Sequence, residues 1–124
     1  MIKVLGIGGF FFRAKDPGAL AVWYETQFGI SKVPTSYEEP VWQQQEGATV
    51  FAPFEAETSY FGRPEQGWMI NFRVADLAAA VAELTGQGID VEVDPQVYPN
   101  GRFARLADPE GNPVQLWQPS DSAV

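Results

Sequence analysis

"FRAKDPGALAVWYETQFGISKV" (residues 12–33) and "FRVADLAAAVAELTGQGIDVEV" (residues 72–93) read as two versions of one unit. Phe12 answers Phe72, Arg13 answers Arg73, Asp16 answers Asp76 and Ala19 answers Ala79; after one dropped residue, Gly29-Ile30 matches Gly88-Ile89. Asp16 and Asp76 stand where a helix N-cap belongs, and Pro17 takes the first helical position, where its missing N–H is no loss. Leu20, Trp23, Tyr24 and Phe28 then fall at helical spacing, as do Leu77, Val81 and Leu84. Gly29 and Gly88 close the two helices, because glycine enters the left-handed region without a steric penalty.

Strands flank each helix. "LGIGGFFFR" (5–13) and "WMINFRV" (68–74) precede them, bounded by glycine or by an Asp-led turn. Three short strands should follow each, near 31–36, 41–45 and 48–54, then near 90–97, 102–107 and 112–118. "EGATVFAPF" (46–54) aligns loosely with "EGNPVQLWQ" (110–118), pairing Gly47 with Gly111 and Val50 with Val114. "DPEGN" (108–112) is a tight turn between two apolar runs, hence a hairpin. The pattern is βαβββ, twice. Residues 55–67, "EAETSYFGRPEQG", are the connector. One half buries too little to stand alone, so residues 1–124 are expected to form one domain, with modules at about 1–56 and 66–119. The expected fold class is α+β.

Composition narrows the chemistry. The 124 residues are 45% hydrophobic and 14% aromatic, enough for a core, and 19% charged, too few for disorder. No apolar run long enough to span a bilayer and no signal-peptide pattern is present, so a cytoplasmic protein without membrane contact is expected. The sequence has no Cys, which excludes disulfides and thiolate chemistry. It has no His, which excludes Ser-His-Asp and Cys-His mechanisms and a 2-His-1-carboxylate iron site. An oxygen-only site for a hard cation survives composition alone. The net charge of −8 argues against nucleic acid as a partner.

The paired βαβββ pattern, with "DPGALAVWYETQFGI" (16–30) early and "GRFARLADPEGNPVQLWQP" (101–119) late, resembles the vicinal oxygen chelate superfamily: glyoxalase I, extradiol dioxygenases, fosfomycin resistance and bleomycin resistance proteins. The resemblance implies two modules that curl into a curved, partly open eight-stranded barrel around a cleft. It also implies a homodimer, in which some members complete the cleft with strands from both subunits. Metal-using members take ligands from the first and last strands of each module. Carried onto this chain, those positions are Gly9, Phe51, Met69 and Gln115. Only Gln115 offers an oxygen, and shifting the register by one brings no better donor. The resemblance therefore implies a member that has lost its metal, with no cofactor. Glyoxalase, dioxygenase and fosfomycin-transferase activities are not carried over. The bleomycin resistance proteins, which are acidic, dimeric binders of a cationic drug, resemble this case better.

Strand alternation assigns the residues that share a face with those positions. Phe11, Phe51, Met69, Phe103 and Trp117 are expected to supply an apolar lining, and Asn71, Gln115 and Arg105 its polar groups. The opposite set, with Phe10, Phe12, Ile70, Phe72, Val50, Val114 and Leu116, should cover the helices. Arg105 reads either as an anchor for a ligand carboxylate or phosphate or as half of an ion pair with a glutamate or with the partner subunit. Tyr60 and Phe61 in the connector read as a lid, a dimer contact or part of a solvated linker. No catalytic residue emerges. The functional expectation is a metal-independent small-molecule binding protein of unknown ligand. Two alternatives stand beside it: a metal-free isomerase or lyase acting on a carboxylated or carbonyl substrate, and an interaction module whose cleft is filled.

Overall fold

In the computed structural model, which describes residues 1–121, two helices lie on one face of a four-stranded sheet. The elements are α1 (Pro17–Phe28), β1 (Ile70–Arg73), α2 (Leu77–Gly86), β2 (Glu92–Val93), β3 (Gly101–Ala107) and β4 (Pro113–Pro119). The strand order is β1-β4-β3-β2. β1 runs parallel to β4, while β3 is antiparallel to both β4 and β2. The second module thus forms as read, with its 90–97 strand shortened to two residues.

Both helix starts behave as the repeat implies. The Asp16 carboxylate accepts from the Ala19 N–H at 3.1 Å, and that of Asp76 accepts from the Ala79 N–H at 3.0 Å. Gly29 adopts φ 69°, and its N–H donates to the Glu25 carbonyl. At the end of α2, Gly88 adopts φ 82° and donates to Thr85, while Ile89 donates to Leu84, the paired bonds of a Schellman motif.

The core lies between the helices and the even-numbered face of the sheet. Leu20 and Tyr24 of α1 and Leu77 and Leu84 of α2 pack on Ala104, Leu106, Val114 and Leu116, with Ile70 and Phe72 against them. Phe10 and Phe12 reach Trp68, at ring-centroid distances of 5.1 and 4.9 Å, and Phe12 also meets Tyr24. Phe11, between them, is 92% exposed. The alternation expected for residues 10–12 is therefore kept.

The single chain forms four of the eight strands expected. Among the described residues, 1–13 and 30–54 enter no strand and join no sheet ladder. Leu5, Val50 and Phe51 are exposed with them. These segments have the alternation of strands but no strand partner among the described residues, and a strand without one has no ladder. The edge of β1 away from β4 is also unpaired.

Asp108 joins the first-half helix to the second-half hairpin. Its buried carboxylate accepts from the Tyr24 hydroxyl at 2.7 Å, the Glu110 N–H at 2.9 Å, the Asn112 N–H at 3.0 Å and Asn112 Nδ2 at 2.8 Å. Glu110 in the same turn accepts from the N–H groups of Lys15 and Asp16. Burial, and then the bond to Asp108, push the Tyr24 phenol well above its ordinary pKa of 10.0. Below that value the phenol is protonated in both states. Above it the unfolded chain releases a proton that the folded chain keeps, so stability falls as pH rises. Tyr24→Phe is expected to cost about 2 kcal/mol at neutral pH and to lessen the further loss between pH 10 and 11, as read by urea denaturation at both pH values. An unchanged alkaline loss would show that Tyr24 does not supply it.

Candidate functional site

The register of the sheet builds a polar row. Asn71 of β1 lies beside Gln115 of β4, Gln115 beside Arg105 of β3, and Arg105 beside Glu92 of β2. Directly paired residues share a face, so all four are set on the side away from the helices. The next row holds Arg73, Trp117 and Phe103. The rings of Phe103 and Trp117 lie 6.2 Å apart with planes only 3° from parallel.

Hydrogen bonds order the row. Asn71 Nδ2 donates to Gln115 Oε1 at 2.7 Å, which turns Gln115 Nε2 outward to donate to the Tyr60 hydroxyl at 3.0 Å. Arg105 Nη2 donates to the Tyr60 carbonyl at 2.6 Å, and its guanidinium carbon stands 4.3 Å from the centroid of the same residue's ring. The ion pair among the described residues is Arg63 with Glu65, so the glutamate partner weighed for Arg105 is not what it has. A backbone carbonyl and a ring face serve it instead.

The expected site residues divide into two groups. Asn71, Gln115, Arg105, Phe103 and Trp117 come together on one face, with Met69 just before β1 and half-buried. Trp117 is 5% exposed and its Nε1 donates to the Asn100 carbonyl at 2.8 Å, so it is a fixed wall. Phe11 and Phe51, in segments outside the sheet, are 92% and 88% exposed. Near the row's β3 end, an open depression of about 730 Å³ is lined by Tyr60, Arg105, Glu92 and Pro113 among others. The part sequence reasoning missed is Tyr60 as a contact of the row. An aromatic flanked by Ser59 and Phe61 inside a Gly/Pro connector was its signal; which residues it would meet was not readable. Glu92 was also missed, because register places it opposite Arg105 and periodicity does not.

The donor set does not fit a divalent cation. Gly9 and Phe51 offer no donor atom, Met69 a soft thioether, and Gln115 one neutral amide whose oxygen already accepts from Asn71. Among the described residues, no group of three His, Cys, Asp or Glu side chains is placed to hold a metal ion. Nor is any described helix long and apolar enough to cross a membrane.

The profile of the family described as Glyoxalase-like domain matches residues 9–117. A structure from the mobile metagenome of V. Pseudocholerae is similar over 98% of this chain and 99% of its own, at 18% identity and a TM-score of 0.63. A glyoxalase family protein from Bacillus anthracis covers 83% of this chain and 84% of its own, at 18% identity and a TM-score of 0.51. TnmS3, an antibiotic binding protein from Streptomyces sp. CB03234, is 36% identical over 46% of this chain, at a TM-score of 0.40; the match spans 47% of that chain, about half its length. No curated protein matches.

Arg105→Met removes both contacts to Tyr60. It is expected to raise amide hydrogen exchange across 55–67 about fivefold, the effect of about 1 kcal/mol at a half-exposed site. Amides of β3 and β4 should keep their protection.

Proposed function

The chain belongs to the glyoxalase-like domain family of the vicinal oxygen chelate superfamily, and on that premise we propose that it is a metal-independent small-molecule binding protein. One observation carries the reading: three hydrogen-bonding side chains and a stacked aromatic pair converge on one sheet face, and the donors there suit an organic ligand but not a metal ion. Fold alone decides no function in such a scaffold; the site does. In this reading Asn71, Gln115 and Arg105 orient the ligand, and Met69, Phe103 and Trp117 bound it. Phe11 and Phe51 complete the lining once the first-half strands are paired. The enzyme alternative would need a carboxylate acid or base, and among the described residues the carboxylate in register with the row is Glu92, opposite Arg105.

The binding form is a homodimer. Residues 1–13 and 30–54 carry the alternation of the strands that pair in the second half, yet expose Leu5, Phe11 and Phe51 and enter no sheet ladder. An exposed apolar surface of this kind, beside an open sheet edge at β1, asks for a strand-bearing partner. A second copy brings the same segments and the same edge, so two copies satisfy each other reciprocally in an isologous interface.

Native mass spectrometry of the protein as purified should report a dimer without stoichiometric metal. A bound divalent ion would end the metal-independent reading. Leu5 is 97% exposed in the single chain. Leu5→Asp should therefore leave the far-UV spectrum unchanged while shifting the mass to that of a monomer. A dimer that survives Leu5→Asp would place the interface elsewhere.

A further inference from the structure

Tyr60 is held on the polar row by three contacts of three different kinds. Its hydroxyl accepts from Gln115 Nε2 at 3.0 Å, its ring lies 4.3 Å from the Arg105 guanidinium carbon, and its carbonyl accepts from Arg105 Nη2 at 2.6 Å. No core packing requires it there. Tyr60 is 40% exposed, and its ring neighbour is Phe54, which lies outside every strand. The connector around it is a series of short local turns. Thr58 donates to Glu55, Tyr60 to the Thr58 hydroxyl and Gly62 to Ser59, and Gly62 adopts φ 94°.

We infer that Tyr60 is an internal stand-in for the ligand, and that the Gln115–Arg105 pair is a receptor for a flat aromatic group carrying a phenol or ring-carbonyl oxygen on its edge. The inference rests on the reading of this row as a binding site, and names the class of ligand it takes. Each element of the chemistry is selective. Asn71 holds the Gln115 oxygen, so the group facing outward is an N–H donor that asks for an oxygen acceptor. The guanidinium face attracts an electron-rich ring, and its Nη2 asks for a carbonyl. The two recognition groups are neighbours across β3 and β4, so one ring with an oxygen on its edge can meet both. Arg105 is thus matched to a neutral aromatic oxygen compound, in keeping with a chain of net charge −8, which repels carboxylates and phosphates at a distance. A ligand of this class displaces the Tyr60 side chain and takes over its contacts.

The test removes the stand-in and restores it in solution. In Tyr60→Gly, p-cresol should bind saturably and raise Tm, at least about tenfold more tightly than toluene, which has the same shape without the oxygen. The preference should vanish in Tyr60→Gly/Gln115→Leu, which removes the N–H that meets the oxygen, whereas Tyr60→Gly/Arg105→Met, which removes the group facing the ring, should weaken both compounds. Tyr60→Phe, which keeps a ring over Arg105, should bind p-cresol no better than the wild type. Equal binding of p-cresol and toluene, or equal p-cresol binding by the wild type and Tyr60→Gly, overturns the inference. Tyr60→Ala carries the same arms if the glycine variant does not fold; if neither folds, Tyr60 is a structural strut and the inference falls. The binding-protein reading is tested separately by ligand-induced Tm shifts of the wild type. A Tyr60→Gly protein that takes p-cresol while the wild type takes nothing supports the stand-in and leaves the filled-cleft reading of the natural chain. A wild type that binds ligands while Tyr60→Gly ignores p-cresol overturns the stand-in alone.

Discussion

The Asp108 carboxylate is the constraint on which the described fold depends. A buried carboxylate is stable only when its acceptor capacity is met, and here two backbone N–H groups, an amide and a phenol meet it. Three of those donors belong to the turn itself and fix the hairpin of β3 and β4. The fourth, Tyr24, comes from α1, 84 residues earlier in the chain. One side chain therefore sets the geometry of the hairpin and docks the first-half helix on the second-half sheet. Glu110, two residues on, repeats the attachment at the start of α1.

From that attachment the two faces of the sheet take their roles. Once α1 and α2 cover the even-numbered residues, Val114 and Leu116 become core, and Gln115 between them must face the other way. β1 then enters parallel to β4 and sets Asn71 beside Gln115; β3 sets Arg105 on the other side. The polar row follows from packing on the opposite face. It was not assembled residue by residue, and a one-residue slip of any of these strands would send its member of the row into the core.

The unpaired first half makes the same point from the other direction. Residues 10–12 alternate as a strand should, with Phe10 and Phe12 against Trp68 and Phe11 outward, yet no ladder forms around them. Alternation states which side chains share a face. It does not supply a neighbour, and ladder hydrogen bonds need one. The resemblance implied eight strands and allowed some to come from a second subunit; the single chain pairs four of them.

Much of the molecule was legible from local rules. The Asp N-caps, the glycine helix ends, the Asp-Pro hairpin turn and the two sheet faces each depend on a few adjacent residues, and each is found where the repeat placed it. The unsuitability of Gly9, Phe51, Met69 and Gln115 for a hard cation was also a property of residue type alone. The sequence by itself thus determined two N-capped helices, a second-half hairpin with one greasy and one polar face, and no donor set for a metal at Gly9, Phe51, Met69 and Gln115. Tertiary structure alone decided that Tyr60 would lie across Arg105 and Gln115, residues 45 and 55 positions away, and that the first-half strands would find no partner in their own chain. Both depend on long-range pairing of a loop or strand with a surface that exists only after the sheet has formed, and neither periodicity nor turn chemistry carries information over that distance.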